Sequence, residues 1–390
     1  MDINKDNKVL LHPSFSLKDR WNYTEAIMTN MDIYIIFGDQ PRDMIRQLLS
    51  TIKIENTIDK HAKIGIKPNL VLASPSSLGA TTDPEIVAAV IEYLQGVGFK
   101  DICILEGSWI GDRTARAFKV CGYEDISKKY NVPLYDLQQD TYKSYDVGGI
   151  ELNVCDKVMD IDYLINMPVL KGHCQTRITC SLKNLKGCIP NTEKRKFHTM
   201  GLHKPIAYLS KVIKSDLILV DGIVGDLNFE EGGNPVQMNR IIAGQDPVLV
   251  DAYVTELLGY DVSDVEYIEI ADRIGVGSSD VESANIVELN KDNLASKRIE
   301  FSRRIQYLAS YVDERDACSA CYGSLIHALD RLDDKGKLSM IDQKIHIGQA
   351  YKGVEVEGIG VGSCTRGCDK SLLGCPPKAK DIIGFLEDVY

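Results

Sequence analysis

The segments Lys63-Ile64-Gly65-Ile66-Lys67-Pro68 and Thr82-Asp83-Pro84 set the architecture expected for this chain. The first is a short apolar run typical of a β-strand, which Pro68 ends. The second begins a helix, because Asp83 suits the N-cap and Pro84 suits the first helical position. Apolar residues then follow on one helical face: Ile86, Val87, Val90, Ile91 and Leu94. These segments therefore predict a strand followed by a helix.

The same unit recurs along the chain. An apolar run over 32–36 precedes a helical pattern over 41–53, and a run over 101–105 precedes one over 113–121. Further strands are predicted over 132–135, 161–166 and 217–221, and further helices over 246–258 and 262–274. Strands that alternate with helices in this way indicate an α/β fold, a mainly parallel doubly wound sheet with helices on both faces.

Composition bounds the class of protein. The 390 residues, 44% hydrophobic and 26% charged, suffice for a large core and two lobes. A net charge of −11 argues against nucleic acid or an anionic membrane as partner. The chain has 11 cysteines, begins without an apolar signal region and contains no apolar run of about 18 residues. These features predict a cytoplasmic protein with reduced thiols and metal or redox chemistry.

Three parts are predicted along the chain. A polar N-terminal arm occupies residues 1–30, and the α/β domain occupies residues 31–300. Residues 301–390 are rich in glycine and cysteine, and we expect them to form a region that binds a metal or cluster and packs on the α/β body.

The cysteines of this last part have the spacing of a metal centre, Cys318-x2-Cys321 followed by Cys364-x3-Cys368-x6-Cys375-Pro376. A CxxC pair that closes on distant cysteines, the last of them followed by proline, favours a 4Fe–4S cluster. A structural zinc ion bound by four cysteines is the alternative, and the spacing does not separate it from iron.

Four of the five cysteines are predicted ligands: Cys318, Cys321, Cys364 and Cys375. Asp316 is expected to begin a helix that places the CxxC pair on one face. After Cys375, Pro376 and Pro377 look like the first positions of a helix over 378–386, whose N-terminus favours a thiolate or an anionic cluster. The glycines over 358–362 let the backbone approach a cluster ahead of the third ligand. Cys368 as replacement ligand, and an open iron site, are the alternatives.

Residues 171–211 form a basic segment with nine lysines and arginines and a single acid, Glu193. Such a local excess in an acidic protein attracts a small anion into a cleft, although a solvated charge run is the alternative. Ammonium, amide and imidazole groups can bind carboxylate or phosphate and move protons. The predicted catalytic residues are Lys171, His173, Lys183 and His198. The predicted substrate-binding residues are Lys67, Asn69 and Asn184.

Three more cysteines, Cys174, Cys180 and Cys188, lie within the basic segment. Their spacing matches no common ligand pattern, so packing or redox-active thiols are preferred to a second metal site.

The chain resembles the domain of unknown function 362 family, prokaryotic proteins commonly described as iron–sulfur cluster-binding. The landmarks lie between about residues 60 and 275: Lys67-Pro68-Asn69-Leu70, Thr82-Asp83-Pro84, Glu106-Gly107-Ser108, Pro168-x-x-Lys171-x-His173, Lys183-Asn184-x-x-Gly187, His198, Asp221-Gly222 and Asp246-Pro247-Val248-x-x-Asp251. The resemblance implies an α/β domain joined to a cluster-binding segment. Because the chain lacks a CxxCxxCxxxCP run, it implies at most one cluster, and it leaves the reaction open.

The sequence thus favours an iron–sulfur enzyme, an oxidoreductase or lyase, that acts on a small carboxylate or phosphate by electron transfer or Lewis-acid activation. One alternative is an electron-transfer or redox-sensing module whose basic segment docks an acidic partner protein. Another is a metabolic enzyme stapled by zinc. A basic pocket favours an enzyme, whereas a flat basic patch favours docking.

Overall fold

The structure is a computed structural model that describes residues 28–227, 230–290, 304–317 and 319–390. Most of the predicted N-terminal arm, the predicted boundary at residue 300 and the predicted ligand Cys318 lie outside the described residues.

Strands and helices alternate over most of the described chain. The strands are β1 (Asp32–Phe37), β2 (Ile64–Pro68), β3 (Ile102–Glu106), β4 (Leu134–Asp136), β5 (Tyr142–Val147), β6 (Ile150–Cys155), β7 (Tyr163–Met167), β8 (Lys171–His173), β9 (Arg177–Thr179), β10 (Leu217–Asp226), β11 (Pro235–Gly244), β12 (Asn285–Glu288), β13 (Val312–Glu314), β14 (Ile345–Ile347), β15 (Val356–Val361) and β16 (Cys368–Leu372). The helices are α1 (Pro41–Ile52), α2 (Pro84–Gly96), α3 (Thr114–Val120), α4 (Tyr123–Tyr130), α5 (Asp156–Met159), α6 (Ser181–Asn184), α7 (Asn191–Thr199), α8 (His203–Val212), α9 (Pro247–Leu257), α10 (Glu266–Arg273), α11 (Arg304–Ala309), α12 (Ser319–Asp334) and α13 (Ala379–Val389).

Within the described residues, the main sheet has eight strands in the order β12-β1-β11-β10-β7-β2-β3-β4. Its strand pairs are parallel except for the two that β11 makes, with β1 and with β10. The mainly parallel α/β sheet predicted from the sequence is therefore confirmed. β11 is absent from the predicted strands; it reverses direction because a short connection joins it to β10, as antiparallel neighbours allow.

Helices cover both faces of this sheet, as predicted. One apolar core packs α1, α2 and α4 against β2 and β3, and the other packs α8, α9 and α10 on the opposite face. The two predicted helix starts are also confirmed. The Asp83 carboxylate accepts a hydrogen bond from Glu85 N at the start of α2, and Asp246 accepts from Val248 N at the start of α9.

The C-terminal part contains a second sheet in which β13, β14, β15 and β16 pair in parallel, in that order. It packs on the α/β body: Cys174 belongs to its apolar core, and Gln175 Nε2 donates to Ala317 O at 2.6 Å. Two predicted helix starts in this part are wrong. Asp316 has a left-handed φ of 55°, so α12 begins at Ser319, and α13 begins at Ala379, after the two prolines.

Candidate functional site

A cavity of about 660 Å³ lies at the carboxyl ends of β2, β3 and β7. Open α/β sheets bind their ligands at this edge. The loop after β3, the segment from Lys171 to Thr199 and the C-terminal part all contribute to its wall. The C-terminal contribution consists of Cys321, Gln349, Cys375 and Pro376.

A buried ion pair forms the floor of the cavity. Lys67 Nζ lies 2.8 Å from Glu106 Oε2, and the two side chains are 1% and 3% exposed. Lys67 Nζ also donates to Pro68 O and to Asn184 Oδ1. The Glu106 carboxylate accepts from Leu70 N and Gly107 N. The lysine and the carboxylate thus satisfy each other inside the protein, as a buried pair requires.

A chain of side-chain amides extends from this pair. Asn184 Oδ1 accepts from Asn69 Nδ2 at 2.8 Å, and Asn184 Nδ2 donates to Asn166 Oδ1 at 2.7 Å. Asn69 Oδ1 accepts from Lys171 Nζ at 3.0 Å. The three predicted substrate-binding residues, Lys67 among them, therefore line the cavity but bind one another.

A second acidic residue, Glu230, also lines the cavity. Its Oε2 lies 2.9 Å from Lys183 Nζ and 2.6 Å from His173 Nε2. Burial acts to raise the pKa of Glu230, but His173 and Lys183 hold it well below its usual range. Burial lowers the pKa of His173 to about 4, so the imidazole is neutral. Its Nδ1 accepts from Gln175 N and Thr176 N, which leaves the proton on Nε2, facing Glu230.

The predicted catalytic residues occupy different positions around Glu230. Among the described residues, the cavity wall includes Lys171, Lys183 and His198 but not His173, whose Nε2 lies 2.6 Å from Glu230 Oε2. Lys171 Nζ donates to Ala80 O, Glu230 O and Asn69 Oδ1, and burial lowers its pKa to about 7. Burial lowers the pKa of His198 to about 3, so this imidazole is also neutral.

Three further cations line the cavity that were not predicted as site residues: Lys186, Lys194 and Arg195. Lys194 Nζ donates to two carbonyl oxygens, Gly107 O and Ser108 O, and burial lowers its pKa to about 8. Burial, together with the charges of Lys183 and Lys194 and against that of Glu230, lowers the pKa of Lys186 to about 7. All three residues belong to the basic segment over 171–211, so its excess of positive charge was the sequence feature that could have identified them. Glu230 lies outside that segment.

Glycines allow the walls of the cavity to approach each other. A Cβ at Gly187 would lie 2.0 Å from Glu106 Oε1 and 2.7 Å from Lys67 Nζ. A Cβ at Gly107 would lie 2.6 Å from Gly187 O. The buried ion pair therefore requires glycine at both positions.

Asp251 orients the short helix α6, which carries Lys183 and Asn184. Its carboxylate accepts from Ser181 N at 2.7 Å, Ser181 Oγ at 2.6 Å and Leu182 N at 3.2 Å. Burial raises the pKa of Asp251 to about 6. The carboxylate caps the first turn of α6 and so directs both side chains into the cavity.

The C-terminal cysteines follow the carboxyl ends of the parallel strands in the second sheet. Cys321 and Cys375 line the cavity. Ser363 N donates to Gly374 O at 2.8 Å, which brings together the backbone just before Cys364 and Cys375. Cys368, in contrast, is the first residue of β16 and pairs with Val356 at the start of β15. Cys321, Cys364 and Cys375 thus lie beyond strand ends, whereas Cys368 lies within the second sheet.

Within residues 28–227, 230–290, 304–317 and 319–390, no group of three or more His, Cys, Asp or Glu side chains is placed to hold a metal ion. The three described ligands, Cys321, Cys364 and Cys375, are thus not brought together as a metal site, and the fourth predicted ligand, Cys318, lies outside these ranges. The 4Fe–4S cluster and the zinc alternative therefore stay predictions.

The cysteines of the basic segment are buried in the body of the protein. Burial raises the pKa values of Cys174, Cys180 and Cys188 above the usual range for a thiol. A thiol that resists ionisation is a poor nucleophile, so these residues suit packing better than redox chemistry.

In the described part of the chain, no helix combines the length and apolar character needed to cross a membrane.

Comparison with known proteins extends the sequence resemblance. Residues 64–256 match the family described as Domain of unknown function (DUF362). Over 239 residues the chain is 26% identical to the thylakoid-associated protein sll1697 of Synechocystis sp., an alignment that covers 58% of this chain and 72% of that protein. The lactate racemase apoprotein from Thermoanaerobacterium thermosaccharolyticum is similar with a TM-score of 0.38 and 13% identity, over 64% of this chain and 60% of that chain. The cytoplasmic location stays a prediction.

Proposed function

We propose that the protein is an enzyme that binds a small carboxylate or phosphate in this cavity, beside a 4Fe–4S cluster held by Cys318, Cys321, Cys364 and Cys375. The observation that carries the proposal is the charge around the cavity. Among the described lining residues, six cations face only two carboxylates, Glu106 and Glu230: Lys67, Lys171, Lys183, Lys186, Lys194 and Arg195. An enclosed site with excess positive charge attracts and holds an anion.

Proton transfer in this cavity would use groups that face the ligand. Lys186, with a pKa of about 7, can give or take a proton near neutral pH. The neutral imidazole of His198 also lines the cavity, and His173 and Lys183 hold the Glu230 carboxylate in its ionised form. We infer general acid–base chemistry on the bound anion.

Two of the proposed ligands lie beside the proposed substrate site. Cys321 and Cys375, from different elements of the C-terminal part, line the cavity that contains the lysines. A bound cluster would supply electron transfer or an iron Lewis acid at this wall.

The docking alternative is less consistent with this geometry. Lys67 and Lys171 are buried, so they cannot contact the surface of a partner protein. The basic side chains surround a cavity and do not form a flat patch.

Anaerobic purification followed by iron, zinc and sulfide quantification and electron paramagnetic resonance tests the cluster. We expect iron and sulfide in the wild type and in Cys368→Ser, and their loss in Cys321→Ser and Cys375→Ser. Zinc without sulfide would support the zinc-stapled alternative, and a cluster that survives both of the latter substitutions would contradict the ligand assignment.

Calorimetric titration with phosphate and acetate tests the anion site independently. We expect Lys183→Ala to weaken binding, because it removes a cation of the cavity wall. Lys211→Ala is the matched control, since this exposed lysine of the same basic segment donates to Gly275 O outside the cavity. Equal binding by both variants would refute the proposed site.

A further inference from the structure

We propose that the ligand of the cavity is an organic anion with a planar apolar body. Its carboxylate or phosphate binds Lys186 and Arg195, and its apolar body packs on Trp109. This inference rests on the proposed function, because it names the substrate class of the same site.

Hydrogen bonding divides the six cations of the wall into two groups. Four donate to acceptors of the protein itself: Lys67 to Glu106, Lys171 to Ala80 O, Lys183 to Glu230 and Lys194 to Gly107 O. Lys186 and Arg195, in contrast, have no hydrogen-bond acceptor and no ion-pair partner among the described residues. Lys186 is partly buried, so its ammonium is expected to meet an acceptor on the ligand. Arg195 is exposed to solvent and adds a second donor at the cavity. The anionic group of the ligand is therefore placed at these two residues.

The surroundings of this pair also suit an anion. Arg195 and His198 are three residues apart in α7, so they lie on one helical face, and both line the cavity. His198 Nδ1 is buried and has no hydrogen-bond partner among the described residues. A ligand oxygen here would accept from the two cations and could meet the imidazole. Inorganic phosphate would satisfy these groups but leave the rest of the cavity empty.

An apolar part of the cavity wall is built around Trp109. The side chains of Val71, Ile110 and Pro376 line the cavity with it, and the indole is only half-buried. Among the described residues, no lysine or arginine stacks on the indole ring. An exposed aromatic face inside a cavity offers a packing surface to a planar apolar group.

Backbone contacts hold the tryptophan in a defined position. Trp109 N donates to Val71 O at 3.0 Å, and Gln138 Nε2 donates to Trp109 O at 3.2 Å. A Cβ at Gly111 would lie 2.2 Å from the indole Cζ2, so the ring can lie against the backbone only because residue 111 is glycine. A ring held in this way needs little further ordering to bind a ligand, which favours affinity.

Matched pairs of anions test the inference on the anaerobically purified full-length protein. Benzoate is compared with acetate and phenyl phosphate with inorganic phosphate, by calorimetry and by tryptophan fluorescence. The only other tryptophan is Trp21, so Trp21→Phe isolates the signal of Trp109. We expect at least one aryl anion to bind about tenfold more tightly than its small counterpart and to change the fluorescence of Trp109. The tighter aryl anion identifies the anionic group as carboxylate or phosphate, and either result supports the inference.

Substitutions separate the two ends of the ligand. Trp109→Leu is expected to remove the aryl preference and to leave acetate and inorganic phosphate binding unchanged. Lys186→Ala and Arg195→Ala should weaken both members of each pair, and Lys186→Arg should restore part of the loss. Circular dichroism and the thermal midpoint show whether each variant is folded.

Equal affinities for aryl and small anions would overturn the inference while the proposed function stands. Unchanged affinity in folded Lys186→Ala and Arg195→Ala would overturn the placement of the anionic group. Failure of every anion to bind would contradict the proposed function itself.

Discussion

Replacing the buried carboxylate of Glu106 tests the framework that supports the cavity. In the wild type, the Lys67 ammonium lies 2.8 Å from the Glu106 carboxylate, and its side chain is 1% exposed. Glu106→Gln leaves this buried ammonium with only neutral acceptors. Breaking a buried pair by removing one partner costs about 3–5 kcal/mol. Two neutral acceptors, Pro68 O and Asn184 Oδ1, remain for Lys67, so we expect a loss near the lower end, about 3 kcal/mol. Most of the shape is kept, because glutamine is nearly isosteric with glutamate.

Urea unfolding followed by circular dichroism measures this loss. Arg46→Gln is the control, since it breaks the exposed Arg46–Asp43 pair, whose side chains are 70% and 74% exposed, and should cost less than about 1 kcal/mol. Lys67→Met combined with Glu106→Gln removes both charges and should recover part of the stability. If Glu106→Gln destabilises no more than the Arg46→Gln control, the buried pair is not the framework described above.

Three further predictions concern the site. Benzoate keeps its charge between pH 6 and 9, so its affinity should fall as the pH rises through the pKa of Lys186, about 7, because the anion binds the ammonium and not the amine. Calorimetry across this range checks it, Lys186→Arg should reduce this fall, and a flat wild-type profile would contradict it. Gly187→Ala should lower the free energy of unfolding in urea by about 1–3 kcal/mol, because the new Cβ meets Glu106 Oε1. Gly96→Ala is the control and should not destabilise the protein, because the space around Gly96 is open. Equal effects of the two substitutions would refute the close approach at Gly187. Asp251→Ala should lower the free energy of unfolding by about 1–3 kcal/mol and weaken anion binding, and Asp251→Asn should have smaller effects on both. A stable variant with full affinity would show that Asp251 does not orient α6.

Local patterns in the sequence were sufficient for the α/β architecture. The spacing of apolar residues and the capping of a helix depend only on residues near one another in the sequence. The strand at Ile64–Pro68 and the helix that Asp83 caps could therefore be predicted from their neighbours. The same reasoning predicted α12 but placed its start too early, at Asp316, because the left-handed backbone of this residue is imposed by its surroundings in the C-terminal part. It also missed β11, whose direction depends on its pairing with β10 and β1.

The basic segment and the set of cysteines were also visible in the sequence, because composition and spacing need no knowledge of the fold. The partner of each charge was not. Lys67 meets Glu106 across 39 residues and Lys183 meets Glu230 across 47, contacts that the strand order and a distant loop create. The folded chain thereby neutralises some lysines and leaves Lys186 and Arg195 facing the cavity without acceptors among the described residues. Hydrogen bonding and desolvation act over a few ångströms in space, whatever the separation along the chain. For this reason the architecture could be predicted from the sequence, but which cations pair within the protein and which face the cavity could not.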